Sequence, residues 1–237
     1  LGDLSSGRHY CLAIKGTNFA QLSSVSVSRP MLYDLTPPVS GVVLDGNIFG
    51  IDLDHQQSTS QLDVQWSSFS DAHTDIVGYA IAIGTHSGAS DVGVYWVNAT
   101  AEPSRSTLTI SNLALSTGQV YYATVTAINR AALNSTAVSD GILIDTTPPQ
   151  TSNITFGADC SPRSISTDVN QLMVCWHGFS DDVSHLDYFE LLLNISTSDS
   201  DDDAGDEGSA DVKTELTSWK SVGATTSTTI YFDPPLH

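Results

Sequence analysis

Residues 115–149 begin with Leu115-Ser-Thr-Gly118-Gln-Val-Tyr121-Tyr and end with Asp145-Thr-Thr-Pro148-Pro149, and the same pattern occurs earlier in the chain. Residues 4–38 align with them at a constant offset of 111 without a gap, and 15 of the 35 pairs are identical. About two identities would be expected by chance, so the two stretches form an internal repeat at the scale of a domain.

A second block of sequence repeats at an offset of 110. Residues 61–71, QLDVQWSSFSD, return as residues 171–181, QLMVCWHGFSD, and Tyr79 aligns with Phe189. A period near 110 residues matches one small domain rather than the about 20 to 50 residues of a solenoid repeat. The 237 residues therefore hold two domains' worth of sequence.

Charge and composition narrow the class of partner. The chain carries 27 acidic residues against 8 Lys and Arg, a formal net charge of −19. Nucleic acid and anionic membranes are bound through clustered Lys and Arg, so neither is an expected partner. No apolar run approaches the ~18 residues of a membrane span, so membrane insertion is not expected either. The acidic surface is expected to keep the protein hydrated and to repel its neighbours.

Short alternating segments separated by turn-forming residues predict about seven strands in the central repeat. No segment carries a helical apolar stripe of useful length. Inward positions at period two would include Leu62, Val64 and Trp66 on one strand. The pattern predicts an all-β sandwich, with strands near residues 41–44, 61–66, 78–84, 92–97, 106–110, 119–128 and 137–143.

These residues resemble the fibronectin type III family. The resemblance rests on Trp66, on Leu115-x-x-Gly118-x-x-Tyr121 and on the length near 110 residues. It implies tandem Ig-like β-sandwiches, with Tyr121 in the tyrosine corner, where the phenol bonds back to the backbone of the preceding loop. The Asp-x-Thr-Pro-Pro tails are similar to those of repeats in large extracellular proteins. Such sandwiches serve many functions, so the resemblance implies a fold rather than an activity.

The repeat divides the chain into three parts. Residues 1–36 correspond to the last two strands of a preceding β-sandwich, residues 37–147 to a complete domain, and residues 148–237 to a third sandwich without its last two strands. Consecutive prolines hold the backbone extended and cannot donate to a sheet. Each boundary is therefore expected to be a rigid junction, formed by Asp34, Pro37, Pro38, Asp145, Pro148 and Pro149.

Neighbouring units are expected to complete the terminal domains, because missing strands leave open edges and a bare apolar face. Residues 1–33 of one unit would complete residues 150–237 of the next, head to tail. The array could be one long polypeptide or separate subunits that exchange strands. A fragment of a longer ectodomain is a third explanation. The residues predicted to complete the strands are Tyr10, Leu12, Ile14 and Val27.

Glycans and a disulfide are the predicted covalent features. Cys160 and Cys175 lie in the last repeat without metal-ligand spacing, and a disulfide between them would place the chain outside the cell. Cys11 is expected to be free or paired with a group outside the chain. Four sequons predict N-linked glycosylation, at Asn98, Asn134, Asn153 and Asn194.

Calcium is a weak candidate ligand. The segment 45–54 shares oxygen ligands at its first and third positions, and a glycine at its sixth, with a calcium loop. Phe49 and Gln56 occupy positions that need a ligand, so ordinary turn residues are the simpler interpretation. Residues 199–211 form an acidic insertion expected to be a solvated loop. The four candidate ligands are Asp45, Asn47, Asp52 and Asp54.

Catalysis has no support in the sequence. Nucleophile elbows, zinc-binding helix motifs and phosphate-binding glycine loops are all missing, and the seven His residues are scattered. The sequence therefore predicts a non-enzymatic extracellular structural protein, without a cofactor, that builds a glycosylated fibre or stalk from copies of itself. One alternative is an adhesin or receptor ectodomain whose loops bind an unknown ligand, which an exposed aromatic patch around Tyr95 and Trp96 would favour. Another is an accessory module of a secreted carbohydrate-active enzyme.

Overall fold

A computed structural model describes residues 3–99, 105–156, 160, 171–197, 213–216 and 219–231. The chain forms two compact units, residues 1–146 and residues 147–237. Every regular element in the described part is a β-strand, which confirms the predicted all-β class. Among these residues there is no helix long and apolar enough to cross a membrane.

Residues 3–36 form two antiparallel strand pairs that lie end to end. The first strand, β1 (Arg8–Tyr10), continues the direction of the second, β2 (Ala13–Thr17), and the chain then returns through β3 (Ser23–Val27) and β4 (Met31–Tyr33). β2 pairs with β3, and β1 pairs with β4. We call β1–β4 the N-terminal hairpin.

The central sandwich, residues 37–146, packs two sheets face to face. One sheet has the order β10-β7-β5, and the other has the order β6-β13-β11-β8-β9, with β12 also paired to β11. This division of strands is the fibronectin type III-like arrangement. The strands are β5 (Val42–Asp45), β6 (His55–Gln56), β7 (Gln61–Ser67), β8 (Ile76–Gly84), β9 (Gly93–Asn98), β10 (Arg105–Ser111), β11 (Val120–Asn129), β12 (Asn134–Val138) and β13 (Ile142–Ile144).

The core of the central sandwich comes from alternate residues of the facing strands. Trp66 packs on Tyr79 with ring centroids 5.4 Å apart, and Phe69 meets the same ring at 5.8 Å. Leu62 and Val64 are buried beside them. The sequence pattern thus places the core side chains on the inward faces.

The final strand of the sandwich differs from the sequence prediction. A single strand was expected over 137–143, but the backbone leaves the ladder between β12 and β13. Gly141 has φ +104°, and a Cβ there would meet the side chains of Val120 and Tyr122. Glycine at this position lets the chain cross closely over β11. The short strand β6, parallel to β13, was also not predicted.

The second unit repeats part of the central sandwich. Its strands are β14 (Ile154–Phe156), β15 (Gln171–Trp176), β16 (Phe189–Leu191), β17 (Asn194–Thr197), β18 (Lys213–Leu216), β19 (Lys220–Gly223) and β20 (Ser227–Tyr231). The order β14-β15-β20 follows that of β5-β7-β10, while β16 pairs with β19 and β17 with β18. The Trp176–Phe189 contact, at 5.5 Å, repeats the Trp66–Tyr79 contact. A disulfide joins Cys160 to Cys175.

Candidate functional site

The N-terminal hairpin has the same hydrogen-bond register as the last strands of the central sandwich. Ile14 pairs with Ser26 as Val125 pairs with Ala137, and each pairing in β2–β3 recurs in β11–β12 at the offset of 111. Two of the three β1–β4 pairings recur in β11–β13 at the same offset. The hairpin therefore has the backbone pairing of the last strands of the central sandwich.

Side-chain bonds of the two hairpins correspond as well. Ser116 N–H donates to Tyr121 Oη at 3.0 Å, which is the geometry of a tyrosine corner. Ser5 N–H donates to Tyr10 Oη at 2.7 Å in the N-terminal hairpin. The same short-range bond thus occurs at equivalent positions of the two hairpins.

The two hairpins differ in what covers their inward faces. In the central sandwich Ala123, Val125 and Ile142 are 2%, 0% and 1% exposed. Their counterparts in the N-terminal hairpin, Leu12, Ile14 and Met31, are 66%, 64% and 60% exposed. We call these last three side chains the open face. Isolated exposed apolar residues are ordinary, but an aligned set on the core side of a sheet indicates an interaction surface.

One predicted strand-completion residue lies on the other side of the hairpin. Val27 pairs with Ala13, and paired residues point to the same face, away from Leu12 and Ile14. Val27 therefore does not belong to the open face, which corrects the sequence-based assignment. Met31 takes its place, and Tyr10 is half-buried by an edge contact with Tyr33 at 6.0 Å.

The second unit has an exposed inward face too. Ile154 pairs with Trp176 as Val43 pairs with Trp66, but Ile154 is 55% exposed whereas Val43 is 6% exposed. Phe189 and Leu191 are half-buried, although their counterparts in the central sandwich, Tyr79 and Ile81, are fully buried. Within the described residues the second unit thus shows core positions that are only partly covered.

Open strand edges accompany these faces. In the central sandwich β8 lies between β9 and β11, and it bonds to both. Among the described strands, β16 pairs only with β19, and β2 pairs only with β3. In the central sandwich, β11 and β8 pair with each other along one edge of each strand. The edge of β2 that corresponds to this edge of β11 is open. The edge of β16 that corresponds to this edge of β8 is open as well. An open edge offers unpaired backbone donors and acceptors to another strand.

Asp34 holds the hairpin to the central sandwich. Its Oδ1 accepts from Thr36 N–H at 2.9 Å and from the Thr36 hydroxyl at 2.7 Å, and from Ser6 Oγ at 3.3 Å. Its Oδ2 accepts from Thr74 Oγ1 at 2.7 Å and Asn129 Nδ2 at 3.2 Å. The backbone and hydroxyl donors of Thr36 lower the pKa of Asp34 to about 2. This carboxylate therefore connects the hairpin, the linker and two loops of the sandwich.

His73 and Asn129 complete this junction. The Thr36 hydroxyl donates its single hydrogen to Asp34, so His73 Nδ1, 2.8 Å away, is assigned as the donor to Thr36 Oγ1. Asn129 is buried, and its Nδ2 also bonds Asp71 Oδ2 at 3.0 Å. Gly7 approaches the His73 ring so closely that a Cβ would clash with it.

The predicted junction residues have different environments. Beside the buried Asp34, Pro38 is buried and Pro37 is exposed. In the second set Asp145 is half-buried and donates its N–H to Gln56 O at 2.9 Å, whereas Pro148 and Pro149 are exposed.

Three carboxylates meet near the start of the predicted calcium loop. Asp45, Asp52 and Asp140 have oxygens within 4.8 Å of one another, whereas the carboxylate of Asp54 is not part of this group. Burial raises the pKa of Asp45 to about 7. Hydrogen bonds from Ser139 and Gly141 lower this pKa in part, whereas the negative charges of Asp52 and Asp140 raise it further. Calcium takes about six to eight oxygen ligands. The group offers three carboxylates, and two of them already accept backbone N–H bonds, Asp45 Oδ2 from Gly141 and Asp52 Oδ1 from Asp45.

The remaining predicted positions have different environments. Asn98, Asn134 and Asn153 are exposed, and Asn194 begins β17. Cys11 is an exposed free cysteine. Trp96 is exposed and donates its Nε1 hydrogen to Asn98 Oδ1 at 2.8 Å, whereas Tyr95 packs against the core. The acidic insertion 199–211 lies outside the described residues.

Sequence reasoning did not assign Asn129, Thr74, Asp140 or Met31 to a site. Asn129 carried a signal, because it is one of the identical pairs of the repeat, with Asn18. Asp140 carried none, since its counterpart in the first repeat is Arg29. Its contact with Asp45 depends on the backbone path between β12 and β13, which the local pattern does not reveal.

Comparisons with known proteins show a likeness in fold. No family model matches the chain, and no curated protein matches it. Among solved structures, the chain is similar to the FN1-FN3 domains of chicken CNTN1, with 15% identity and a TM-score of 0.45, over 87% of this chain and 60% of that one. It is also similar to a Ca2+-stabilized adhesin that helps an Antarctic bacterium to bind ice. That match has 13% identity and a TM-score of 0.36, over 93% of this chain and 47% of that one. The chain spans less than two thirds of either structure.

Proposed function

We propose that this is a non-enzymatic, extracellular structural protein whose N-terminal hairpin completes a β-sandwich begun by residues 147–237 of a neighbouring unit. Repeated head to tail, this contact gives a glycosylated fibre or stalk. The observation that carries the proposal is the open face, whose side chains are exposed although their repeat counterparts form a core.

Burial of the open face supplies the driving force. Fully burying an apolar side chain of this size contributes about 1.5–3 kcal/mol. Leu12, Ile14 and Met31 would together contribute several kcal/mol, and Ile154 of the receiving unit would add to it. Loss of freedom on association opposes this gain. We expect backbone hydrogen bonds between the units to add to the free energy gained from this burial.

Strand pairing supplies the backbone bonds and the direction. The open edge of β2 would pair antiparallel with the open edge of β16, in the way that β11 pairs with β8. Strand addition at an exposed edge gives affinity through the main chain. Because the donor and acceptor surfaces differ, the contact is heterologous, and such contacts propagate into open filaments.

The other features suit an extracellular fibre. The Cys160–Cys175 disulfide is typical of proteins in oxidising compartments. Asp34 fixes the hairpin to the central sandwich, so load on the hairpin would pass into that domain. Sugars on the exposed sequons, with the net charge of −19, would keep fibres apart.

A tandem chain tests the proposal. Two copies are fused so that Leu1 of the second follows His237 of the first, and thermal unfolding is compared with that of the single chain. We expect a new transition at higher temperature, because the fused pair contains one completed sandwich. Ile14→Asp in the second copy should abolish this transition. Ser23→Asp, which introduces the same charge at an exposed position on the opposite face of the hairpin, is the matched control and should preserve it.

The native material tests the same proposal at the level of assembly. Electron microscopy should show filaments with a regular repeat, whether the units are separate subunits or one polypeptide. Intact mass before and after glycosidase treatment reports the chain length and the sugar load. A tandem chain that unfolds like the single chain, together with isolated native particles, would overturn the fibre.

Adhesion is the second candidate, because β9 exposes an apolar strip. Val94 and Trp96 are exposed on alternate positions of that strand, on the same face as the sequon residue Asn98. A sugar on Asn98 would cover the strip. Ligand binding that depends on Trp96 and increases after glycosidase treatment would favour adhesion over a purely structural role.

A further inference from the structure

We propose that two polar contacts fix the register of the joint between units: Lys15 of one unit with Glu190 of the next, and Asn18 with Asp181. This inference rests on the proposed strand completion, and it specifies which residues meet. The partner is a second copy of the 147–237 unit.

The pairing of β11 with β8 gives the expected register. Thr126 lies opposite Ala80 in the central sandwich. At the repeat offsets of 111 and 110, these positions become Lys15 on β2 and Glu190 on β16. The same register puts Ile14 opposite Leu191, as Val125 lies opposite Ile81. Apolar residues therefore meet on the inward face while the two charges meet on the outward face.

The charged pair is specific to this register. A slip by one residue would turn the open face outward, and a slip by two would put Lys15 opposite Tyr188 or Leu192. Lys15 and Glu190 are both exposed. Lys15 is one of only 8 basic residues in a chain with 27 acidic ones, and its positive charge would offset the negative charge of the residue opposite it. Opposite charges directly across two strands stabilise the pair, whereas like charges destabilise it.

Asn18 is the donor half of the second contact. Asn129 Oδ1 accepts from the N–H groups of Ala131 and Leu133, and Asn18 Oδ1 accepts from Ala20 and Leu22 in the same way. Asn129 Nδ2 donates to Asp71 Oδ2. Asn18 Nδ2 donates no hydrogen bond within the described residues.

Asp181 is the acceptor half. Asp71 Oδ1 accepts from the N–H groups of His73 and Thr74, and Asp181 Oδ1 accepts from Val183 and Ser184 at 3.0 and 2.9 Å. Asp181 is 8% exposed, and in the part of the chain that the structure describes its Oδ2 accepts no bond. In the central sandwich the equivalent groups, Asn129 Nδ2 and Asp71 Oδ2, bond to each other. Asn18 Nδ2 and Asp181 Oδ2 would form the same bond between two units.

Charge exchange in the tandem chain tests the first contact. Lys15→Glu in the second copy, or Glu190→Lys in the first, should weaken docking by about fivefold. The two changes together should restore it to within about twofold, because the opposite charges meet again. Docking is measured as hydrogen-exchange protection of β2 in the second copy. Arg29→Glu, which makes the same change of charge at an exposed position outside β2, is the matched control and should have little effect.

Removal of the amide tests the second contact. Asn18→Ala in the second copy should weaken docking, and Asp181→Asn in the first copy, which keeps the Oδ1 acceptor for Val183 and Ser184, should add nothing further once Asn18 is gone. Failure of the charge exchange to restore docking, or additive losses for Asn18 and Asp181, would overturn the inference while strand completion stands. A parent tandem chain without protection of β2 would instead overturn the proposed function itself.

Discussion

At the scale of the residue, Asn129 shows how one side chain couples local and long-range structure. Its Oδ1 closes the turn that follows β11, and its Nδ2 reaches Asp34 and Asp71 on other segments. An amide can do both because it carries an acceptor and two donor hydrogens. Aspartate would bring a third negative charge to the two carboxylates, so asparagine is the residue that satisfies this junction.

Replacing Asn129 should destabilise the central sandwich. Asn129→Ala leaves the turn N–H groups and the carboxylates of Asp34 and Asp71 short of partners, at an expected loss of about 2–3 kcal/mol in the free energy of unfolding. Urea unfolding of the full chain measures this loss of stability. Asn18→Ala is the matched control, since it removes the same turn bonds but no long-range contact. Equal losses for the two variants would show that the turn alone accounts for the effect.

Asp45 should make stability depend on pH. Its pKa is raised from 3.8 to about 7 in the folded state. Between these values the folded chain holds a proton that the unfolded chain has released, so the free energy of unfolding falls as pH rises from about 4 to 7. The fall is on the order of 3 kcal/mol. Asp45→Asn should reduce this slope in urea titrations, and an unchanged slope would show that Asp45 stays ionised in the folded chain.

At the scale of the element, one hairpin sequence gives one local structure in two settings. The alternating pattern predicted the strands, and the repeat predicted a second copy of the hairpin with the same role. Exposure could not be read from the pattern, since Ile14 and Val125 are both apolar at equivalent positions. The pattern also failed at Val27, because residues on both faces of the hairpin are apolar and only the register distinguishes them. Whether an inward side chain is buried depends on the segments that pack over it, and the local sequence does not encode those segments.

Hydrogen exchange should separate the two hairpins in the single chain. The β2–β3 ladder has the same bonds as β11–β12, yet its inward side chains are exposed. Protection depends on burial and on packing as well as on bonding. At low concentration the amides of β2 should exchange at least about tenfold faster than those of β11. Equal protection at low concentration would mean that the hairpin is stable without a partner.

At the scale of the whole molecule, charge and assembly oppose each other. A net charge of −19 repels approaching copies, whereas the proposed strand completion would draw them together through the open face and the open edge. Seven of the acidic residues lie in the insertion 199–211. Since the proposed joint is mostly apolar and main-chain, the long-range repulsion is the part of the balance that salt can change.

Association of single chains should therefore strengthen as salt is added. Raising the ionic strength from about 0.01 to 0.15 M shortens the screening length from about 30 to 8 Å, which weakens repulsion between copies more than contacts at the joint. Sedimentation should show the dissociation constant falling severalfold. A variant with the acidic residues of 199–211 replaced by Ser should associate more tightly at low salt and respond less to added salt. Weaker association at high salt would show instead that charged contacts such as Lys15 with Glu190 dominate the joint, because screening reduces their attraction while leaving the apolar burial unchanged.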